Sequence, residues 1–154
     1  EAMRALDPAR PVLVEAESSK VGERVVPPGL WKAMQAAPRI TVEAPLEVRA
    51  AYLARTYDDL CADPGRLDGI LVSLIRLQGR ERVAHWRDLA REGRNADLAG
   101  ELMAHHYDPR YARQLDRGGG GTLGTVTARR LDDTELDALG ARVAEMADMA
   151  GAQG

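Results

Sequence analysis

The chain has 154 residues, 45% of them hydrophobic, which is material for one core, and a domain usually takes roughly 100–200 residues, so one domain or part of one is expected. With 21 Lys and Arg against 24 Asp and Glu, a formal net charge of −3, a chain-wide basic surface is excluded and any nucleic-acid-binding face has to be local. A single cysteine, Cys61, excludes an intramolecular disulfide and a Cys-rich zinc module and fits a reducing compartment, so the expected location is the cytoplasm. The apolar runs fall short of the roughly 20 residues that span a bilayer, so no membrane partner is expected. The first residues, EAMRALDPARP, lack a basic segment followed by an apolar one, and position 1 is not Met, so the chain is expected to begin inside a longer protein.

In chain order, EAMRAL reads as the last turns of a helix, stopped by Asp7 and Pro8 before a strand over Pro11 to Glu15. Val12 and Val14 face one way in that strand, Leu13 and Glu15 the other, and Glu17 continues the second face if the extended run persists. GLWKAMQAA reads as a helix ended by Pro38, Ile40 to Glu43 as a second strand, and Ala44-Pro45 as the opening of a helix to about Tyr57. Four helical segments follow. Asp63-Pro64 starts one that carries Leu67, Ile70, Leu71, Leu74 and Ile75 at core-facing spacing. Gly79 separates it from GRERVAHWRDLAREGR, Asn95 is placed to cap NADLAGELMAHHY, and Asp108-Pro109 to start DPRYARQL. The glycines at 118 to 121 read as a flexible break and TLGTVTARR as a third strand. LDDTELDALGARVAEMADMA is a final amphipathic helix with Leu136, Leu139, Val143 and Met146 on its apolar side. The order predicts an α/β fold with about three strands and a helical insertion over about 60–117, with no internal repeat.

RPVLVEAESSKVG, residues 10–22, carries the first chemical signal. A strand that emerges from a core with an acid at its C-terminal end is how P-loop proteins place a Walker B carboxylate beside the magnesium ion of a nucleotide, and Glu15 and Glu17 fit that role. The competing reading is a strand end with a solvated acid. No stretch reads GxxxxGK[ST]; GGGGTLGT at 118–125 has no lysine and lies far downstream, a poor phosphate cradle.

Residues 14–53, VEAESSKVGERVVPPGLWKAMQAAPRITVEAPLEVRAAYL, resemble the C-terminal region of bacterial tRNA 2-selenouridine synthases. In that family a strand ending in a VExES-type motif leads to a basic residue, a glycine and a proline, then to an AP-x-V-x-L-E-A-P-L-E-x-R segment. HYDPRY at 106–111 fits the same pattern, and the resemblance runs from residue 6 to about 117, weakening after the glycine run. It implies part of a P-loop-type parallel sheet with a helical insertion. The family has an upstream rhodanese domain with a catalytic cysteine and a Walker A motif before the VExES strand, and neither is in this chain. Its enzymes exchange sulfur for selenium at the wobble 2-thiouridine of tRNA, using selenophosphate through a geranylated intermediate, which implies tRNA, selenophosphate and geranyl diphosphate as substrates.

On that resemblance Glu15 and Glu17 take metal-side positions for Mg2+, and Ser18, Ser19, Lys20 and Arg24 lie where a turn presents donors to a diphosphate. Lys20 as a solvated lysine and Arg24 as cover for a sheet edge are the alternatives. Cys61 falls in a helix-to-helix connection and reads as incidental, not as a nucleophile. At about 100° per residue Arg80, Arg87, Arg91 and Arg94 share one helix face, Glu81, Asp88 and Glu92 lie beside them, and Val83, Trp86, Leu89 and Ala90 take the opposite arc. Arginine forks suit phosphate oxygens, so this face is a candidate for tRNA; a solvated face laced with acid-base pairs is the rival. Trp86 reads as a core anchor and His85 as a surface residue. His105 and His106, neighbours pointing about 100° apart, make a poor metal pair, so zinc is rejected. Tyr107, Arg110 and Tyr111 combine rings with a cation, the chemistry for a splayed RNA base or a geranyl chain, against packing around an Asp108-Pro109 cap. Two other functions stay open: a small-molecule kinase, since EAPLEVR also resembles the segment after a kinase strand, and a non-catalytic RNA-binding module.

Overall fold

The computed structural model describes residues 7, 10–15, 18–116 and 119–151. Within them the chain forms two compact units: an α/β unit from Glu1–Glu43, Gln114–Ala128 and Asp132–Gly154, and a helical unit from Ala44–Arg113 and Arg129–Leu131. The expected helix in EAMRAL, and Glu17, lie outside the described residues.

The α/β unit contains an antiparallel hairpin of β1 (Lys20–Val21) and β2 (Arg24–Val25), with Lys20 opposite Val25 and Val21 opposite Arg24. Gly22, first central residue of its two-residue turn, has φ of 60°, a conformation that costs glycine nothing. Helix α1 (Pro28–Ala36) starts with proline where its missing N–H would be unpaired anyway, and β3 (Arg39–Glu43) follows.

The chain then enters the helical unit: α2 (Leu46–Thr56), α3 (Asp58–Cys61), α4 (Pro64–Ser73), α5 (Ile75–Gln78), α6 (Arg80–Arg91) and α7 (Asn95–Leu102), a π-helical turn (Met103–Tyr107), and the start of α8 (Asp108–Asp116). Asp63 caps α4 as its sequence implies, accepting the Arg66 backbone N–H at 3.0 Å. Leu67, Leu71, Val83, Trp86, Leu89 and Leu98 form the core, flanked by Leu60, Leu74, Ile75, Ala90 and Leu102. Trp86 is fully buried, and its indole N–H donates to Glu101 Oε2 at 3.3 Å. Helices α2 and α7 cross at small residues, with Ala50 Cβ 3.8 Å from where a Cβ on Gly100 would stand.

Returning to the α/β unit, the chain adds β4 (Thr122–Thr127), parallel to β3 with Ile40 opposite Gly124 and Val42 opposite Val126, and ends in α9 (Asp133–Gly151). A parallel pair needs a long crossover, and here that crossover contains the helical unit. Buried Leu139 and Ala147 of α9, with half-buried Leu136, Val143 and Met146, make the apolar side of that helix, and Val126 and Ala128 are buried in the same unit. The fold is thus mixed α/β and mostly helical. No helix among the described residues is long and apolar enough to cross a membrane.

Five expectations are corrected. Among the described residues, 11–15 pair with no strand, Val12, Leu13 and Val14 are more than half exposed, and the parallel sheet has two strands where about three were expected. A strand needs a neighbour for its backbone groups, and among the described residues none stands beside this segment. Ile70 is exposed because the buried stripe of α4 centres on Leu67 and Leu71, one turn apart. Asn95 does not cap α7 but is its first residue. Gly93, at φ 70°, ends α6 with its N–H on the Ala90 carbonyl and the Arg94 N–H on the Leu89 carbonyl, a closure so tight that Arg94 is already the residue before α7. Asp108-Pro109 opens α8 as expected, but Asp108 is its first residue and not its cap. Pro109 has no N–H for the His105 carbonyl, and the wide π turn just before it shifts the hydrogen-bond register so the helical path continues.

The fifth concerns the glycine run, which is closely packed at Gly120 and hydrogen-bonded through the Gly121 carbonyl. The Arg39 N–H donates to the Gly121 carbonyl at 2.8 Å, and a Cβ on Gly120 would stand 1.8 Å from the Ala37 carbonyl oxygen. Backbone, not a movable side chain, blocks that space. Gly120→Ala is therefore expected to destabilise the α/β unit by about 1–3 kcal/mol in urea unfolding, as overpacking does. Gly119→Ala, whose Cβ meets nothing within 4 Å, is the matched control.

Candidate nucleic-acid interface

The described N-terminal candidates Glu15, Ser18, Lys20 and Arg24 are all exposed. Glu15 is exposed on the unpaired segment, and its intended partner Glu17 is outside the described residues. Among the described residues no group of three or more His, Cys, Asp or Glu side chains is placed to hold a metal ion, and Glu17 is not one of those residues. Ser18 Oγ accepts the Lys20 backbone N–H at 3.0 Å, a local turn bond that occupies a donor assigned to phosphate. Directly opposed residues of a hairpin share a face and successive ones alternate, so Lys20 sides with Val25 and Arg24 with Val21. Lys20 and Arg24 are both exposed and lie on opposite faces of the hairpin, which does not converge them on one anion.

On α6 the buried side chains Val83, Trp86 and Leu89 turn the basic face outward, as the periodicity predicts. Its forks are largely occupied. Arg87 grips Asp68 of α4 through Nε and Nη2, Arg91 pairs with Asp88, and Arg94 donates to Asp97 at 2.8 Å and Glu92 at 3.4 Å. The Arg87 guanidinium, hydrogen-bonded to Asp68, holds that carboxyl below its ordinary value. Arg80 alone of the four has no hydrogen-bond or ion-pair partner among the described residues.

HYDPRY is better placed. Tyr107 and Tyr111 are 59% and 49% exposed, one turn apart, with exposed Arg110 on the same helix face. What anchors this face is a residue that sequence reasoning left without a role, Arg49 of α2. Its Nη1 and Nη2 donate to the two Asp108 carboxylate oxygens at 2.8 and 2.9 Å, and its Nε to the Ala44 carbonyl at 3.2 Å. Asp108 is thus a fork acceptor, not a helix cap, and Arg49 is the arginine of EAPLEVR, so two of the motifs carrying the resemblance meet. That spacing across 59 residues has no local periodicity to reveal it.

Behind Tyr107, His106 is buried, its ring edge-on to the Tyr107 ring at 5.0 Å between centroids. Its Nδ1 lies 3.1 Å from Gln78 Nε2, and Gln78 Oε1 accepts from Arg82 Nη1 at 3.0 Å. An arginine only donates, so it holds the Gln78 oxygen towards itself and turns the amide NH2 to His106. Nδ1 must then accept, which places the ring proton on Nε2. His105 is exposed, with its Nε2 3.6 Å from Glu101 Oε2. Gln78 and Arg82 were missed by sequence reasoning; the available signal was their i, i+4 spacing across Gly79. Burial, then the charges of Asp58 and Asp59, push the Cys61 thiol up from its ordinary value.

Two tests follow from these titrations. The Arg49 hydrogen bonds hold the Asp108 carboxyl below its ordinary range, so the pair's contribution is complete above about pH 4 and is lost as pH falls through the depressed value. Asp108→Asn should cost about 1 kcal/mol near neutrality, the upper range for a solvent-accessible pair, and flatten the stability curve below pH about 4. His106 is pushed down by burial and then by the Arg110 charge, so the unfolded chain takes up a proton first and stability declines as pH falls below about 6.5. His106→Gln should shrink the loss in thermal midpoint between pH 7 and pH 5; an undiminished loss would show that His106 does not cause it.

Neither the curated proteins nor the solved structures compared with the chain gave a match. Residues 2–70 match a family model described as the tRNA 2-selenouridine synthase AAA domain, a span that contains the hairpin, α1, β3, α2 and α3 and reaches into α4. Through those residues the chain is consistent with a fragment of the tRNA 2-selenouridine synthase family.

Proposed function

We propose that this chain serves a tRNA 2-selenouridine synthase-type enzyme, with its helical unit presenting part of the tRNA surface. The match of residues 2–70 to the family's AAA domain is the observation that carries the reading. On it, the parent enzyme exchanges sulfur for selenium at a wobble 2-thiouridine, with selenophosphate and geranyl diphosphate as substrates, and upstream rhodanese and Walker A regions supply the nucleophile and the phosphate cradle. The stretch holding Glu15, Glu17, Ser18, Lys20 and Arg24 falls in the matched span and is assigned to the diphosphate side.

The tRNA side is assigned to Tyr107, Arg110 and Tyr111, with the α6 row of Arg80, Arg87, Arg91 and Arg94 as phosphate contacts. Exposed tyrosine rings beside a guanidinium suit an unstacked base, because every base has a π-face and the neighbouring phosphate is anionic. Among the row, Arg80 has its donors free, whereas the other three must leave carboxylates to bind phosphate.

Fluorescence anisotropy with a labelled tRNA transcript tests the assignment. Tyr107→Ala with Tyr111→Ala is expected to weaken binding at least tenfold, since base stacking is worth about 1–3 kcal/mol per base. Both rings are half exposed, so the fold should be retained, as circular dichroism would show. Unchanged affinity in the double variant would remove HYDPRY from the RNA surface.

A further inference from the structure

We infer that Arg82 is a phosphate-binding residue of the surface that holds Tyr107, Arg110 and Tyr111, set in place by Gln78 and His106. The inference rests on the RNA-binding function proposed above and adds a residue that lies outside the basic row of α6. Arg82 is exposed, and its one hydrogen bond among the described residues goes to a neutral acceptor, the Gln78 oxygen at 3.0 Å. A guanidinium carries five N–H donors, so most of its fork and all of its charge remain available. Arg87, Arg91 and Arg94 each face at least one carboxylate instead.

Contiguity comes from the relay beneath it. Gln78 bridges Arg82 to the buried His106 ring, and the Tyr107 ring packs edge-on against that ring, so α6 and the HYDPRY face are joined by side chains in contact. Arg110, without a carboxylate partner among the described residues, bears on the same imidazole through its charge. Two available cations from different helices thus border the stretch that carries the exposed rings. A single-stranded RNA segment fits this arrangement: a base stacks on tyrosine while its neighbouring phosphates meet Arg82 and Arg110.

Holding Arg82 by a neutral amide has a chemical consequence. A carboxylate at position 78 would cancel the charge, while an apolar residue would leave the fork undirected. Glutamine orients the guanidinium and leaves its charge intact, and His106 in turn orients the glutamine.

The test is tRNA binding by the full chain as a function of salt, read by anisotropy with a labelled tRNA transcript. Each lost phosphate contact should reduce the slope of log affinity against log salt by roughly one unit. Arg82→Gln with Arg110→Gln is expected to flatten the slope by about two, and Arg82→Lys to keep the slope of the wild type. Gln78→Glu, which gives Arg82 a carboxylate, should reproduce the loss seen with Arg82→Gln. If the wild-type chain binds the transcript but the Arg82 and Arg110 variant keeps the original slope, this inference falls and the RNA reading stands. If the wild-type chain does not bind it, both fall.

Discussion

Complete burial of Trp86 is the constraint on which the helical unit turns. Truncating an aromatic side chain buried to this degree costs about 3–5 kcal/mol, far more than an exposed ion pair contributes. The rotation of α6 about its axis is therefore decided by Val83, Trp86 and Leu89, and the charged side chains take whatever directions remain. Arg87 comes to rest against Asp68 of α4, and Arg82, on a different arc, against Gln78 at the end of α5. A helix with one basic stripe in sequence thus becomes a helix with two kinds of arginine: those neutralised by neighbouring acids and those left charged.

The second constraint is the fork between Arg49 and Asp108. It ties α2, which follows β3 after only Ala44 and Pro45, to the helical path at the point where a π turn has shifted its register. With Pro109 unable to donate and Asp108 held by Arg49, the direction of Tyr107, Arg110 and Tyr111 is set from two sides. His106 adds a third hold from beneath. Exposed rings on a backbone held this way lose little freedom on meeting a ligand, which is what a stacking platform requires.

In the α/β unit the governing contacts are between backbones. β3 and β4 run parallel, and Gly120 lets the chain approach Ala37 at a separation that any side chain would prevent. Gly124 plays a related part under Met146, where a Cβ would lie 2.8 Å from the sulfur. Segment 11–15, rich in valine and leucine, has no such partner among the described residues, and its apolar side chains stand in solvent.

Local sequence determined much of this chain: helices α1, α2, α4 and α6, strands β3 and β4, the apolar side of α9, the Asp63 cap and the core position of Trp86. Each depends on contacts within a few residues, where side-chain period and turn chemistry act directly. The family resemblance was likewise readable from ordered motifs in residues 14–53, and the family match over residues 2–70 includes that stretch. Tertiary structure alone decided whether residues 11–15 would pair, whether Asp108 would cap a helix or meet Arg49, that Arg87 would meet Asp68, and that Gln78 would meet His106. The physical reason is distance along the chain: the partners of Arg49, Arg87 and Gln78 lie 19 to 59 residues away and only packing brings them near, as only packing supplies the neighbour a strand needs. The Arg91–Asp88 and Arg94–Asp97 pairs, by contrast, are one helical turn apart and readable in the spacing.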